Sequence, residues 1–190
     1  MKAPETIELQ TIRLRRPALS DVDAIFEYGS DPEVARFADW PVRTRTDGLA
    51  ESLLARGRRW KAGTEFYWVI TSKEDDRAIG GISCTVDRDS AEIGFLLNRR
   101  FWGRGIATEA GHAVVGWLRS FPAVGKIWAT CDAGNHASAR VLEKLGFTPE
   151  VPAPSPVVRP NISSEPREAL AFSLITRTKK PPAVSRGGLD

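Results

Sequence analysis

Two glycines, Gly103 and Gly105, lie where a strand-like stretch gives way to a helix-like one, within the run RFWGRGIAT of residues 100–108. Glycine lets the backbone turn tightly and approach a ligand closely, and the first N–H groups of a helix have no acceptor within that helix. A helix that begins after such a turn is a ready binding site for phosphate groups. The spacing therefore predicts an anion site at the start of this helix.

Two other phosphate-binding motifs share features with this run. A dinucleotide-binding Rossmann unit also places glycines at a strand-to-helix turn, and Asp132 follows the next predicted strand as the acid of that motif would. Its third glycine is replaced by Thr108, however, and the run follows a series of strands instead of opening a βαβ unit. The Gly-Lys-Ser/Thr of a P-loop is missing from it as well. An NAD-dependent oxidoreductase is thus an alternative that the spacing disfavours.

Periodicity and turn residues predict the elements that would position this run. The predicted strands are residues 7–16, 65–71, 78–86, 91–97, 125–131 and 169–177. The predicted helices are one capped by Ser20, a short one that begins at Asp31-Pro32, and three longer ones at 46–60, 105–118 and 135–145. Prolines recur too often in residues 148–166 for regular structure.

The order of these elements predicts a mixed α/β (α+β) fold. An antiparallel meander is followed by strand, helix, strand and helix, which implies a right-handed crossover and a parallel pair in the middle of the sheet. We expect a mostly antiparallel, twisted sheet of six to seven strands flanked by helices. A chain of 190 residues suits one domain, which we place at residues 1–178, with a disordered tail at 179–190.

Composition excludes several classes of partner. The chain has 27 Lys and Arg against 24 Asp and Glu, interspersed, which does not form a basic stripe for nucleic acid. No segment reaches the roughly 18 apolar residues of a membrane span. Cys84 and Cys131 lie far apart without metal-ligand spacing, so we expect neither a metal nor a disulfide, and a reducing, cytoplasmic compartment fits best.

Several motifs in sequence order resemble one enzyme family. The spacing Arg100-x-x-Gly103-x-Gly105 resembles the Arg/Gln-x-x-Gly-x-Gly/Ala signature of GNAT N-acetyltransferases, and FWGRGIATEA is similar to its form in the ribosomal-protein N-terminal (alanine/serine), or Rim-like, branch. Further segments resemble that branch over about residues 9–147, at residues 11–16, 31–34, 79–82, 92–95 and 135–147. Such a likeness implies the GNAT fold and acetyl-CoA as co-substrate, without a metal.

The resemblance also implies where the cofactor binds. Backbone amides of the loop and helix start are expected to hold the pyrophosphate, and the pantetheine arm is expected to pair with residues 93–97 in a splayed gap beside that strand, which usually depends on a bulge. The expected cofactor-binding residues are Phe95, Leu96, Leu97, Arg100, Trp102, Gly103, Arg104, Gly105, Ile106, Ala107, Thr108, Asn135 and Ser138. The simplest interpretation of the Arg104 side chain is a solvent-facing charge.

The candidate catalytic residues are Ser138, which the resemblance implies, and Glu92, a strand carboxylate. The amides near Phe95 and Leu96 would stabilise the oxyanion of the thioester carbonyl. Ser138 would protonate the departing thiolate, although it could instead support a helix cap formed by Asn135. Glu92 would accept the amine proton through water, although a strand carboxylate is more often solvated or paired. An α-amino group, which titrates near 8, needs only a weak base.

The acceptor is expected to bind between Phe37–Val42 and Val151–Glu165, with Trp40 either a wall of that site or a buried packing residue. The predicted activity is acetyl transfer to a primary amine, on a protein N-terminus such as that of a ribosomal protein or on a small molecule, by direct attack in a ternary complex. A CoA-binding module without turnover is the alternative. The enzyme would be a monomer or homodimer, and we interpret His112 as a packing residue and His136 as exposed.

Overall fold

The structure is a computed structural model that describes residues 1–151 and 154–176. The tail predicted at 179–190, and the end of the last predicted strand at Arg177, lie outside the described residues.

Ten strands and five α-helices, with two short 3-10 turns, make up the described chain. The strands are β1 (Thr6–Glu8), β2 (Ile12–Arg15), β3 (Glu65–Ser72), β4 (Ala78–Asp87), β5 (Ser90–Leu97), β6 (Lys126–Asp132), β7 (Thr148–Pro149), β8 (Val157–Arg159), β9 (Ser163–Arg167) and β10 (Ala169–Ile175). The helices are α1 (Val22–Gly29), α2 (Pro32–Ala35), α3 (Leu49–Ala62), α4 (Ile106–Arg119) and α5 (His136–Lys144), and the 3-10 turns are Leu19–Asp21 and Arg99–Phe101.

One eight-stranded sheet organises the molecule, in the order β1-β2-β3-β4-β5-β6-β10-β7. Only β5 and β6 run parallel, and every other pair in this sheet is antiparallel. The predicted mixed sheet with a central parallel pair is therefore confirmed. The strand count is higher than the six to seven predicted, for two local reasons.

The first reason is at the N-terminus, where the single strand predicted at 7–16 is wrong. The Leu9 amide donates to the Ile12 carbonyl over 3.0 Å and closes a tight turn, so the segment forms the hairpin of β1 and β2. The alternation of apolar and polar residues continues across the turn, which hides it from pattern analysis. The first helix also begins differently: the Asp21 carboxylate accepts the Ala18 amide at 2.7 Å, so Asp21 and not Ser20 stabilises this helix entry.

The second reason lies in residues 148–166, which were predicted to be irregular. β7 adds two residues to the edge of the sheet, and β8 and β9 form a separate two-stranded ribbon. Prolines stand at Pro149 and Pro166, where the edge strand and the small ribbon tolerate the missing N–H group. The predicted cap at Asp31, in contrast, is confirmed by a 3.0 Å bond from the Glu33 amide.

The two faces of the sheet are covered by different helices. One face carries the larger core, which includes Phe66, Trp68 and Phe172 of the strands and buried residues of α4 and α5. The other face packs Val69 against the buried residues of α1, α2 and the start of α3. Alternate residues of β5 therefore point to opposite faces, one beneath α4 and the other beneath α1 and α2.

Candidate active site

The central parallel pair opens into a gap. β5 and β6 pair at three positions, Ser90↔Lys126, Ala91↔Ile127 and Glu92↔Trp128, and then separate. Beyond this point the two strands no longer pair, so residues 93–97 of β5 and residues 129–132 of β6 form no ladder with each other. A sheet thus has an unpaired edge in its middle, and an extended ligand can hydrogen-bond there as a strand does.

The pairing of β5 with β4 shows which amides face this gap. The Asn98 amide donates to the Ile79 carbonyl over 2.8 Å, and residues opposite one another alternate between bonded and non-bonded pairs in an antiparallel ladder. Because Asn98 forms a bonded pair with Ile79, Leu96 also forms a bonded pair with β4. Phe95 and Leu97 are in non-bonded pairs, so their amides face away from β4 and toward the gap. The register runs without a shift from Gly80↔Leu97 to Asp87↔Ser90, so the gap forms here without the expected bulge in the β4–β5 ladder.

The glycine loop leads directly to the start of α4. Gly103 and Gly105 have φ angles of 75° and 79°, in the left-handed region that glycine adopts without strain. Gly105 is the N-cap residue and provides no side-chain acceptor, so no side chain caps this helix. The amides of Ile106, Ala107 and Thr108 are therefore free for an anion.

The arginines of the loop have other partners and do not line the cavity at this helix start. Arg99 pairs with Asp31 at 2.9 Å, and Arg100 lies 3.6 Å from Glu27 with its side chain 82% exposed. Arg104 stacks over the Phe101 ring at 5.3 Å from the ring centroid. The anion site therefore consists of peptide amides at the helix N-terminus.

Asn135 and Ser138 meet at the start of α5. The Asn135 side chain accepts the Ser138 amide at 3.2 Å and so caps this helix. Both residues are half-buried, and the Ser138 side chain makes no hydrogen bond within the described residues. The cap is thus formed by Asn135 alone, and the Ser138 hydroxyl is free for another partner.

A cavity of about 880 Å³ joins these features. It runs from the loop and the starts of α4 and α5 through the gap to the opposite face of the sheet. Eleven of the thirteen predicted cofactor-binding residues line it, and Arg100 and Arg104 do not. Those that do are Phe95, Leu96, Leu97, Trp102, Gly103, Gly105, Ile106, Ala107, Thr108, Asn135 and Ser138.

Glu92 lines the same cavity from the face that carries α1 and α2. It shares this face of β5 with Gly94, which has no side chain to fill the space, and with Leu96. Burial raises the pKa of Glu92, and the negative charge of Asp39 raises it further. A half-buried carboxyl with a raised pKa is a better proton acceptor than an exposed one.

The two segments predicted to hold the acceptor are in contact. Asn161, at the tip of the β8–β9 ribbon, donates to the carbonyls of Ala35 and Trp40 at 2.7 and 2.9 Å and accepts the Val42 amide at 2.8 Å. Trp40 is half-buried and lines the cavity, and Arg43 stacks on it at 5.2 Å. The ribbon and the loop after α2 thus form one wall.

Of the two histidines, His112 is exposed on α4, so its interpretation as a packing residue is wrong; helix spacing placed it beside the buried Gly111 but not on the inner face. His136 is exposed, as predicted. Both cysteines are buried, and burial raises the pKa of the Cys84 thiol to about 12. A thiol with that pKa is a packing group and not a nucleophile.

Sequence reasoning missed several cavity residues. Arg140 and Lys144 lie one turn apart on α5 and both line the cavity, a spacing that could have been recognised. Asp39 and Arg159 also line it, but they come from a loop and from the ribbon, where no periodicity points to a face.

A comparison with known families decides the class of protein. Residues 11–148 of this chain match the protein family described as "Acetyltransferase (GNAT) domain". The chain belongs to the GNAT acetyltransferase family. This confirms the family inferred from the glycine loop and its flanking motifs, and identifies the chain as an acyltransferase.

Relatives and solved structures agree with this assignment. The uncharacterized N-acetyltransferase p20 of Bacillus licheniformis is 28% identical over 149 residues, which cover 77% of this chain and 84% of that protein. The ribosomal-protein-S5-alanine acetyltransferase of Vibrio fischeri superposes with a TM-score of 0.78 at 24% identity, over 93% of this chain and 99% of that one. The ribosomal L7/L12 alpha-N-protein acetyltransferase RimL, solved in complex with coenzyme A, gives a TM-score of 0.78 at 20% identity, over 90% and 98%. These similarities confirm the GNAT fold.

No helix among residues 1–151 and 154–176 is long and apolar enough to cross a membrane. In the same part of the chain, no group of three or more His, Cys, Asp or Glu side chains is arranged to hold a metal ion.

Proposed function

We propose that this GNAT family member transfers the acetyl group of acetyl-CoA to a primary amine by direct attack within a ternary complex. One observation carries the proposal: a single cavity connects the uncapped start of α4, the gap between β5 and β6, and Glu92 on the opposite face. The first feature suits a diphosphate, the second an extended amide-bearing arm, and the third a nucleophile that must lose a proton.

The residues that would hold acetyl-CoA follow from this arrangement. The amides of Ile106, Ala107 and Thr108 would bind the pyrophosphate, because they have no acceptor within the helix. The backbone of Phe95 and Leu97 would pair with the pantetheine arm along the gap. Acetyl-CoA itself supplies the activated acyl group.

The chain's own groups would then assist the transfer. The Phe95 amide faces the gap, where it can donate to the carbonyl oxygen as negative charge develops on it, and a preorganised donor of this kind contributes about 3 kcal/mol. Glu92 would accept the amine proton, directly or through water, and the Ser138 hydroxyl would donate a proton to the departing sulfur. Glu92 reaches the cavity from β5 and Ser138 reaches it from α5, so the amine and the sulfur would be served by different elements.

A protein N-terminal α-amine is the acceptor class that we favour. Such an amine titrates near 8, so a carboxylate suffices as the base, whereas a lysine side chain near 10.4 would need a stronger one. Glu92, whose pKa is raised by burial and by the charge of Asp39, lines the cavity and can serve as that carboxylate. The names of two structural neighbours, which act on ribosomal proteins, point in the same direction.

The test has two parts, binding and turnover. Acetyl-CoA at a hundred times its Kd adds about 2.7 kcal/mol to the free energy of unfolding and raises the Tm by several degrees, whereas NAD leaves the Tm unchanged. Release of CoA is then measured with N-terminal peptides of ribosomal proteins, aminoglycosides, polyamines and free amino acids. Stabilisation by acetyl-CoA without CoA release on any amine would instead identify a binding module without turnover.

A further inference from the structure

The acceptor side of the cavity holds a buried arginine without a partner. Arg159, the last residue of β8, is 8% exposed and lines the cavity. Its Nε has no hydrogen-bond partner, and the guanidinium makes no ion pair with any described residue of the chain. A buried charge is costly unless an opposite charge compensates it, so this group is suited to an incoming anion.

Asp132, a buried carboxylate that the charge of Arg159 influences, is already engaged. Asp132 accepts two hydrogen bonds from Arg167, at 2.8 and 3.1 Å, and one from the Gly134 amide at 2.8 Å. The hydrogen bond from Arg167 is the main cause of the lowered pKa of Asp132, and the charge of Arg159 makes a smaller contribution in the same direction. Arg167 thus neutralises Asp132 and leaves Arg159 for a ligand.

The fold holds Arg159 in this position from two directions. The ribbon register shifts between Val158 and Arg159, a bulge that re-aims the last side chain of β8. Two residues later, Asn161 fixes the ribbon tip to the loop after α2 through three hydrogen bonds. Because the Arg159 side chain is already fixed, little conformational entropy is lost when its guanidinium binds a carboxylate through two parallel hydrogen bonds.

We infer that Arg159 binds a carboxylate carried by the acceptor, at a distance from the reacting amine. This inference rests on the proposed function, since it assigns a substrate feature to the same site. The cavity is then acidic where the amine is expected, near Glu92 and Asp39, and basic at Arg159. The acceptor is an N-terminal peptide with an acidic side chain at its second or third residue.

Glu92 and Arg159 reach the cavity from different elements, Glu92 from β5 and Arg159 from β8 of the ribbon. The α-carboxylate of a free amino acid is only two covalent bonds from its amine, whereas a side chain one or two residues into an extended peptide lies much farther from the amine. A peptide acceptor can therefore place its amine at Glu92 and its carboxylate at Arg159.

The decisive experiment uses the unmodified protein and matched peptides. We expect kcat/KM for acetyl transfer to be roughly 10- to 100-fold higher for an alanine-initiated peptide with glutamate at the second or third position than for its glutamine counterpart, mainly through KM, because hydrogen bonds between charged groups are strong. Free glutamate should be a poor acceptor. Equal rates for both peptides, or free glutamate as the better acceptor, would overturn the inference.

Variants assign the effect to Arg159. In Arg159→Gln the preference for the acidic peptide disappears, and activity on the glutamine peptide and the KM for acetyl-CoA stay at the level of the unmodified protein. Arg159→Lys keeps part of the preference, because it retains the charge but not the two-pronged geometry. Arg36→Gln is the control, since Arg36 lines the same cavity but is exposed and lies 3.8 Å from Glu33; it keeps the preference.

The remaining outcomes are equally informative. An equal loss on both peptides in Arg159→Gln, or a raised KM for acetyl-CoA, shows a structural or cofactor role and overturns the inference. Acetylation of neutral peptides without any acidic preference leaves the proposed function intact while the inference fails. Absence of acetyl transfer to every amine removes both.

Discussion

The two sides of the cavity are built on different principles. The side proposed for the cofactor consists of backbone groups from a nearly continuous stretch, the end of β5, the glycine loop and the start of α4. The acceptor side uses side chains from distant parts of the chain, since Asn161 reaches 126 residues back to the Ala35 carbonyl. In the proposed reaction, cofactor binding would therefore depend on backbone geometry, which many sequences can provide, and selectivity for the acceptor would depend on a few individual side chains.

Glu92 lies where the two sides meet, and its replacement should have the largest effect. Glu92→Gln is expected to lower kcat/KM by about 10²- to 10⁴-fold, because it removes the proton acceptor. Activity of the unmodified enzyme rises with pH through the raised pKa of Glu92, and Asp39→Asn, which removes the second cause of that shift, moves this rise to lower pH. Rates over a pH series test both statements.

Stability separates a catalytic role of Glu92 from a structural one. Because its folded-state pKa lies above the ordinary 4.5, the carboxyl stabilises the fold only while protonated, and this contribution is lost as the pH rises through that range. Glu92→Gln should therefore be at least as stable as the parent at neutral pH. Glu33→Gln, an exposed cavity residue, is the matched control and should keep its activity.

Ser138 tests whether side chains also matter on the cofactor side. Ser138→Ala should lower kcat by roughly 100-fold, the lower range for a proton donor, and leave the Kd for acetyl-CoA unchanged. Asn135→Ala should instead cost about 1 kcal/mol of stability through the lost helix cap. Single-turnover rates and calorimetric binding of acetyl-CoA test the Ser138→Ala variant, and thermal unfolding tests the Asn135→Ala variant. An unchanged kcat in Ser138→Ala would remove the role of Ser138 as the proton donor.

Asn161 tests the acceptor side. Asn161→Ala removes three hydrogen bonds between the ribbon and the loop after α2, so we expect the KM for the acceptor to rise by about tenfold while the KM for acetyl-CoA is unchanged. Ser164→Ala, exposed on β9, is the control and should match the parent. Parallel increases in both KM values would show that the two sides are not independent.

The smallest effect is expected from Gly105→Ala, which changes only the strain of one backbone angle. Gly105→Ala places a side chain at a φ of 79° without any steric clash, so the cost is the strain alone, about 1 to 2 kcal/mol. Thermal unfolding should show a decrease in Tm of roughly 2 to 8 °C. Gly116→Ala, in the interior of α4 and also without a neighbour, should raise the Tm slightly, because alanine is the better helix former. A stable Gly105→Ala variant would contradict the need for glycine in this turn.

The same contrast explains what the sequence could predict. The loop and the start of α4 were recognisable, because glycine spacing, the strand before it and the helical period after it are all local signals. The β8–β9 ribbon was not, because prolines in residues 148–166 suggested irregular structure, and its tip is held by the loop after α2, which is far away in sequence. Arg159 gave no signal for a related reason: burial of a charged side chain is decided by tertiary contacts and not by its neighbours in sequence.

The N-terminal hairpin and the first helix cap illustrate a second limit. β1 and β2 share one alternation, so only the hydrogen bond from Leu9 to Ile12 reveals the turn. Asp21 was overlooked as the stabilising residue because Ser20 fits the capping pattern equally well; the 2.8 Å ion pairs between Asp21 and Arg15 decide in favour of the carboxylate.

The three-position contact between β5 and β6 has a mechanical consequence. The sheet consists of two blocks, β1 to β5 and β6 with β10 and β7, whose strands are joined at the centre only near Glu92. A ligand arm bound along Ile93–Leu97 would add hydrogen bonds where the β5–β6 ladder stops, and so would make the junction between the two blocks more rigid. Slower amide hydrogen exchange in the second half of β5 on addition of CoA would show this increase in rigidity directly.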